Sequence, residues 1–370
     1  MPLRILHTGD IHLGAKFIAL GNKGPEQRQQ LLATFDDLVQ LAVDEGVDLV
    51  LLAGDLFDSE HPSKDVLERV YSRLESLTGR DILVFISPGT HDRYGPGSPY
   101  AVQPLSTLRG LTVFKSEHMA PVHVPELDCT VFGNANMHPY ENKYPLSGFS
   151  AAGDSRWKVG MLHAGFEIPD VIEDTYLVTA DQVAGSGLDY LALGHLHSTS
   201  DRSVGGVTAF YCGAPEMISI RKGDFGNALL VDLDGEARVR PVRTGRRTFQ
   251  ELMVRAEDVQ SSIALATMLE PLADPDRVLK LSVEGLRQVG HPDIQALAEE
   301  FAGRFFHIAV SDRSRPAPTS VDPDVYPEGS PARTFLRALE SRLEGASEPE
   351  REEIMEAMQV GLSLLGEGGE

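Results

Sequence analysis

Aspartates and histidines gather in five short stretches of the chain. They are Asp10 and His12 in HTGDIHLG, Asp55 and Asp58 in AGDLFD, His91 and Asp92 in PGTHD, His163 in MLHAG, and His195 with His197 in LGHLH. Taken singly, each has a dull explanation. An Asp-x-His closes a turn or caps a helix, and two histidines two residues apart can simply be surface residues on one side of a strand. Together they are harder to dismiss, because the chain has only 12 histidines and each stretch follows an apolar run. A mixed carboxylate and imidazole set suits Mn, Fe or Zn, whereas an all-oxygen set would suit Mg or Ca. Asp10, His12, Asp55, His163, His195 and His197 suffice for two ions if Asp55 bridges them. Two ions about 3.5 to 4 Å apart clamp a phosphate, one activating water and both neutralising oxygen charge. The chemistry these residues suggest is phosphoester hydrolysis.

Such a site needs elements that bring five strand ends together. RILHTGD, DLVLLAGD and DILVFI read as strands. Between them, the stretch from Gln27 to Glu45 carries Leu31, Phe35, Leu38 and Ala42 at helical spacing, and Ser63 caps a second helix bearing Val66, Val70, Leu74 and Leu77. This strand-helix alternation predicts parallel strands whose C-terminal ends share one rim, the rim that ligands favour in open α/β sheets. Beyond residue 110 come LTVF, CTVFGN, WKVGMLH, DYLALGH, TAFYCG, ALLVDLDG and ARVRPVR, strands without long helices between them. They predict a second, mostly antiparallel sheet. Residues 248–311 repeat a strand-helix-strand-helix-strand pattern with no ligand-type cluster at the strand ends. The expected domains are 1–245, 246–312, a Pro-rich linker 313–330, and a helical tail 331–370 with Pro331 in its first turn. Stripes of Phe335, Leu336, Leu339 and Leu343, then Ile354, Met358, Leu362 and Leu365, dock the two tail helices on their own chain or on a partner.

With 370 residues and 42% hydrophobic content, the chain can fill real cores. Two cysteines argue against a disulfide framework. With no leader-like start and no long apolar segment, the expectation is a cytoplasmic protein without membrane contact. A net charge of −22 opposes general affinity for a polyanion, so any nucleic-acid contact must be local. Arg238, Arg240, Arg243, Arg246 and Arg247 form one basic stretch and Arg221 with Lys222 another. Of these, Arg221, Lys222, Arg243, Arg246 and Arg247 are candidate DNA contacts.

The ordered motifs D-x-H (10–12), G-D-x-x-D (54–58), G-x-H-D (89–92), His163 and G-H-x-H (194–197) resemble those of the calcineurin-like metallophosphoesterases. HTGDIHLG, AGDLFDSEHPS and DYLALGHLH further resemble the DNA-repair exonuclease branch, the SbcD-type nuclease subunits, and the length with its tail is similar to YhaO-like members. The resemblance is close over residues 1 to about 245 and only one of layout beyond. It implies an α/β fold, a metallophosphoesterase two-sheet sandwich flanked by helices, with a small α/β capping domain that helps shape the DNA site and a C-terminal helical tail. It further implies two divalent ions, most simply Mn. Asp10, His12, Asp55 and His197 would hold one, and Asp55, His163 and His195 the other. His91 would be the general acid, oriented by Asp58. Thr90 departs from the pattern: the family has asparagine there as a second-site ligand, and a hydroxyl is a shorter, weaker one. The implied activity is metal-dependent exonuclease or endonuclease cleavage of DNA in repair. The implied partner is an SMC-like ATPase of the SbcC or YhaN type, bound through the C-terminal helices, and homodimerisation is implied as well. A phosphatase or cyclic-nucleotide phosphodiesterase on the same scaffold is the competing reading, and a scaffold subunit weakened at Thr90 is a third.

Overall fold

Three apolar runs, β1 (Leu3–Thr8), β2 (Leu49–Leu52) and β3 (Leu83–Ile86), pair side by side and parallel, Ile5 opposite Leu49 and Leu49 opposite Leu83. In this computed structural model, which describes residues 2–102, 105–138, 143–167, 176–219, 225–259, 261–287, 292–317 and 321–366, β2 is buried on both faces. Leu49 and Leu51 point into one core and Val50 and Leu52 into another, which is why the strand is continuously apolar. Two helices cover the second of these faces. In α1 (Gly24–Asp44), with Pro25 in its first turn, Leu31, Phe35, Leu38 and Ala42 are buried. In α2 (Lys64–Thr78), the Ser63 hydroxyl accepts the Val66 N–H, a cap worth about 1 kcal/mol, and Val70, Leu74 and Leu77 are buried.

After the single turn α3 (Pro99–Val102), β4 (Leu111–Val113) pairs parallel with β3. Next come β5 (Ala120–Val124), β6 (Cys129–Gly133), β7 (Trp157–His163), the short pair β8 (Gly165–Phe166) and β9 (Leu177–Val178), and α4 (Ala180–Ala184). They are followed by β10 (Tyr190–Gly194), β11 (Ser200–Asp201), β12 (Thr208–Tyr211), β13 (Asn227–Asp234) and β14 (Glu236–Arg243). The first sheet runs β14-β13-β1-β2-β3-β4 and the second β11-β12-β10-β7-β6-β5.

Two sequence expectations are corrected here. The second sheet is not mostly antiparallel: β12, β10, β7 and β6 pair in parallel, and the antiparallel pairs lie at its edges. The segments 134–156, 164–189 and 195–207 are long enough to cross back and start each strand from the same end, although their described residues hold little helix. The runs LTVF, ALLVDLDG and ARVRPVR, assigned to that sheet, instead extend the first one as β4, β13 and β14. Strand pairing is settled by burial against neighbours rather than by local pattern, since β13 buries Leu229 and Val231 beside Ile5 between the sheets. The architecture is mixed α/β, with two six-stranded sheets around the shared core.

The chain forms two compact units, 1–249 and 250–370. In the second, β15 (Thr248–Arg255), α5 (Ser262–Leu269), β16 (Asp274–Glu284), β17 (Leu286–Arg287), α6 (Ile294–Phe301), β18 (Phe305–Asp312) and β19 (Arg315–Pro316) follow in order. Their sheet runs β15-β16-β18, with β16 and β18 parallel. Helices α7 (Pro331–Leu343) and α8 (Glu348–Gly366) pack on each other through Leu336, Met358 and Leu362. Ser330 caps α7 ahead of Pro331. Leu365, expected in the buried stripe, is 38% exposed. Among the described residues no helix is long and apolar enough to cross a membrane.

Candidate metal centre

The parallel strands β1, β2 and β3 of the first sheet each run out into a turn that carries polar side chains to the rim. Asp10 (φ 50°), His12 (φ 52°), Asp55 (φ 48°) and His195 (φ 105°) all hold left-handed backbone. A non-glycine residue gives up about 1–2 kcal/mol in that conformation, and such strain persists only where the surroundings over-determine it. Here the β1 and β2 exits lock each other: Asp10 N–H donates to Gly54 O at 3.0 Å and His12 N–H to Asp55 O at 2.9 Å. The second sheet meets them closely. A Cβ on Gly194 would overlap the Ala53 carbonyl oxygen, and one on Gly89 would overlap the Asp55 carboxylate. These contacts explain the glycines in G-H-x-H and G-x-H-D.

The side chains converge. His12 Nε2 lies 3.2 Å from His197 Nε2 and 3.7 Å from Asp55 Oδ2. His163 Nε2 is 3.2 Å from Asp55 Oδ2, and its Nδ1 is 3.0 Å from Ala53 O. Asp10 Oδ1 stands 3.8 Å from His197 Nε2 and 4.0 Å from His163 Nδ1. The ligand atoms of Asp10, His12 and His197 lie within 4.8 Å of one another, as do those of Asp10, Asp55 and His163. The Thr90 hydroxyl donates to Asp55 Oδ2 at 3.3 Å and is 3.5 Å from His163 Nε2, beside the second set. The His195 N–H donates to both Asp10 oxygens at 3.1 and 3.0 Å, while its ring packs 5.3 Å from that of His163, outside those two sets.

These groups fit a pair of divalent cations. Asp10, Asp55 and His163 are almost fully buried, and the carboxylates are met by imidazoles whose nitrogens crowd toward one another. The His12 and His197 ring nitrogens, 3.2 Å apart, are close enough to serve one cation together. In the protein alone the carboxylates draw protons onto the histidines. Burial would lower the His163 pKa, but Asp55 overrides it and pushes it up to about 9. Burial opposes charge on His12 too, yet the Asp58 carboxylate raises its pKa. Burial raises the Asp10 pKa, whereas His163 holds Asp55 well below the usual carboxylate range despite its burial.

His91 stands exposed at the edge of this cluster, its ring 4.7 Å from His12 and its N–H donating to Asp55 Oδ1 at 2.8 Å. Its turn is fixed by Asp92, fully buried, which accepts Gly89 N–H at 2.7 Å, Phe57 N–H at 3.0 Å and the Tyr100 hydroxyl at 2.5 Å. Asp58 stands beside both histidines, its carboxylate within 4.8 Å of a ring nitrogen of His12 and of His91. Its carboxylate meets His12 Nδ1 at 3.2 Å, and what reaches His91 Nδ1, also at 3.2 Å, is the Asp58 carbonyl oxygen.

Arg247, read as a DNA contact, is only 3% exposed. It donates to Gln27 Oε1 at 3.0 Å and Glu26 Oε1 at 2.8 Å, so it ties the chain after β14 to α1 and is not offered to a phosphate. Arg243 is exposed, its guanidinium 4.3 Å from the centre of the Phe225 ring, and Arg246 is exposed with its N–H donating to Glu216. Arg221 and Lys222 lie outside the described residues. The sequence reading missed Asn136, fully buried, whose Nδ2 donates to the His163 carbonyl at 3.0 Å. Its signal was present, since it follows the end of β6 as the metal-site residues follow their strands.

The sequence profile of the calcineurin-like phosphoesterases matches residues 3–199. The chain is similar to the uncharacterized metallophosphoesterase YhaO of Bacillus subtilis, at 24% identity over 277 residues, 72% of this chain and 67% of that one. It is similar to the DNA double-strand break repair protein Mre11 of Thermoplasma acidophilum, at 23% identity over 355 residues, 90% of this chain and 89% of that one. It is also similar to one of the subunits of the nuclease SbcCD of Bacillus subtilis, at 23% identity over 265 residues, 62% of this chain and 66% of that one.

Proposed function

The chain belongs to the calcineurin-like phosphoesterase family, and from that premise we propose that it is a manganese-dependent DNA nuclease acting in repair in the cytoplasm beside an SMC-like ATPase. The observation that carries the nuclease reading is the span of the likeness to the double-strand break repair protein. It runs over 90% of this chain and so continues past the phosphoesterase unit into the second one. A phosphatase or cyclic-nucleotide phosphodiesterase would need only the first.

Asp10, His12, Asp55 and His197 would hold one ion, and Asp55, Thr90, His163 and His195 the other. Bound there, two dications supply an activated water and charge for the phosphate oxygens. The protein's own residues do the rest. His91 is exposed beside the cluster, and with Nδ1–H donating to the Asp58 carbonyl its other nitrogen is turned outward to protonate a leaving oxygen. Asp58 keeps His12 aimed through Nδ1, leaving Nε2 for the metal. Arg243 and Arg246 are the exposed cations of the first unit that we assign to the DNA backbone. We place the ATPase on α7 and α8, where Met355, Val360, Leu364 and Leu365 remain exposed on α8. A homodimer belongs to the same proposal.

The test is hydrolysis of linear duplex DNA and of a small aryl phosphodiester by the purified chain, with manganese added or chelated. Manganese-dependent loss of DNA that falls by about 10²–10⁴-fold in His91→Ala supports the nuclease. Cleavage of the small ester with DNA left intact, even after the ATPase is supplied, would give the phosphodiesterase reading. Manganese-independent activity would end both.

A further inference from the structure

The centre is assembled from two sheets. Asp10, His12, Asp55, Thr90 and His91 follow strands of the first, and His163, His195 and His197 belong to the second. Apolar packing between sheets sets their spacing only as well as side-chain rotamers permit, whereas ligation demands placement within about 0.5 Å. At the rim, hydrogen bonds across the gap take over.

Asn136 makes the connection that reaches furthest. It follows β6, which lies between β5 and β7 in the second sheet, and runs beside the turn that follows β3 in the first. Its N–H donates to Pro88 O at 3.1 Å and its carbonyl accepts from Tyr94 N–H at 2.9 Å, so it grips the chain on both sides of Thr90 and His91. Its amide Nδ2 donates to the carbonyl of His163 at 3.0 Å. One buried residue thus ties the turn carrying the general acid to a strand carrying a metal-site histidine. Asn134, two residues earlier, is equally buried and its carbonyl accepts the Ser87 hydroxyl, yet its side-chain amide makes no hydrogen bond.

We propose that Asn136 is a positioning residue: its side chain sets the distance between the Thr90–His91 turn and His163, and thereby the affinity of the metal position formed with Asp55 and His163. The inference rests on the metal-centre reading above. It concerns one position of the pair, because the bonds of Asn136 reach His163 and the 88–94 segment, whereas His12 and His197 meet each other directly. An aspartate at 136 would keep the shape and set a carboxylate oxygen against the His163 carbonyl with no proton between them.

The experiment titrates metal-free, full-length protein with Mn²⁺ by calorimetry and records the electron paramagnetic resonance of the loaded protein. The wild type should take up two ions. Asn136→Ala and Asn136→Asp should each weaken one of the two by about tenfold or more, as loss of an outer support does, and leave the other within about twofold. The spin-coupled signal of a manganese pair should fade toward that of a single ion at substoichiometric loading. Asn134→Ala should leave both affinities within about twofold. Wild-type uptake of both ions by Asn136→Asp, or equal weakening by Asn134→Ala, would overturn the assignment; should Asn136→Ala not fold, the isosteric variant decides alone. A wild-type chain that takes up no manganese would instead remove the metal centre, and this inference with it.

Discussion

The two units carry the same strand-helix-strand-helix-strand pattern and end their strands differently. In the first, β1, β2 and β3 run out into Asp10, Asp55 and His91, whose side chains or neighbours converge on one rim. In the second, the carboxylates near the strand ends are used on the spot. Glu257 accepts Leu286 N–H at 2.8 Å, while Asp312 accepts Ser314 N–H at 2.8 Å and faces Arg287 at 3.9 Å. Among the described residues, every non-glycine residue with left-handed backbone lies in the first unit. The difference teaches that a parallel rim is not a site by itself. Convergence needs an opposing sheet to complete the ligand set and to hold strained turns in place, and beside its three-stranded sheet the second unit has, among its described residues, only the two-stranded pair β17-β19.

The sharpest way to break this contrast is to neutralise a carboxylate on each side. Asp55→Asn should cut manganese-dependent hydrolysis by about 10³-fold, because the charge shared by His12 and His163 is lost. Asp312→Asn should stay within about twofold in the same assay. Next in size, Gly194→Ala should destabilise the fold by about 2–3 kcal/mol in urea unfolding, since its methyl group meets the Ala53 carbonyl. Gly303→Ala, where nothing lies within 4 Å, should be neutral or stabilising by up to about 1 kcal/mol.

A third test probes the inter-sheet core that only the first unit has. His7 is fully buried there, its Nδ1 2.7 Å from the Tyr190 hydroxyl, and burial pushes its pKa down to about 3. The unfolded chain takes up that proton near pH 6.5 and the folded one refuses it until about pH 3. Its effect on stability is therefore nil above pH 6.5, and stability falls by about 1.4 kcal/mol per unit as pH drops between those values. Between pH 6.5 and 5.5, His7→Gln should lose about 1 kcal/mol less stability than the wild type; equal losses would contradict a neutral buried imidazole. The smallest effect sharpens the site itself. Thr90→Asn should tighten manganese binding a few-fold, because an amide oxygen reaches further than a hydroxyl and does not have to give up its bond to Asp55. An unchanged affinity in titration would show that Thr90 lies outside the coordination sphere.

What could be read locally was read from the chain. Apolar runs buried on both faces, Ser63 and Pro331 at helix starts, and aspartates and histidines placed just past strand ends are properties of a few adjacent residues, so periodicity and spacing expose them. The outcome differed wherever a partner came from far away in sequence. The parallel second sheet and the transfer of β13 and β14 to the first were decided by which apolar faces could be buried together. Asp58 meets His12 with its side chain and His91 with its backbone because the turn direction, not the motif, aims each group. Arg247 looked like one more cation in a basic stretch, and Gln27 and Glu26, some 220 residues away, made it a buried anchor. The sequence by itself determined the donor atoms of the centre, since the chemistry of a ligand belongs to its side chain. Which donors meet only the tertiary structure decided, because it depends on two sheets packing against each other and on the hydrogen bonds that cross between them at the rim, such as Asn136 N–H to Pro88 O.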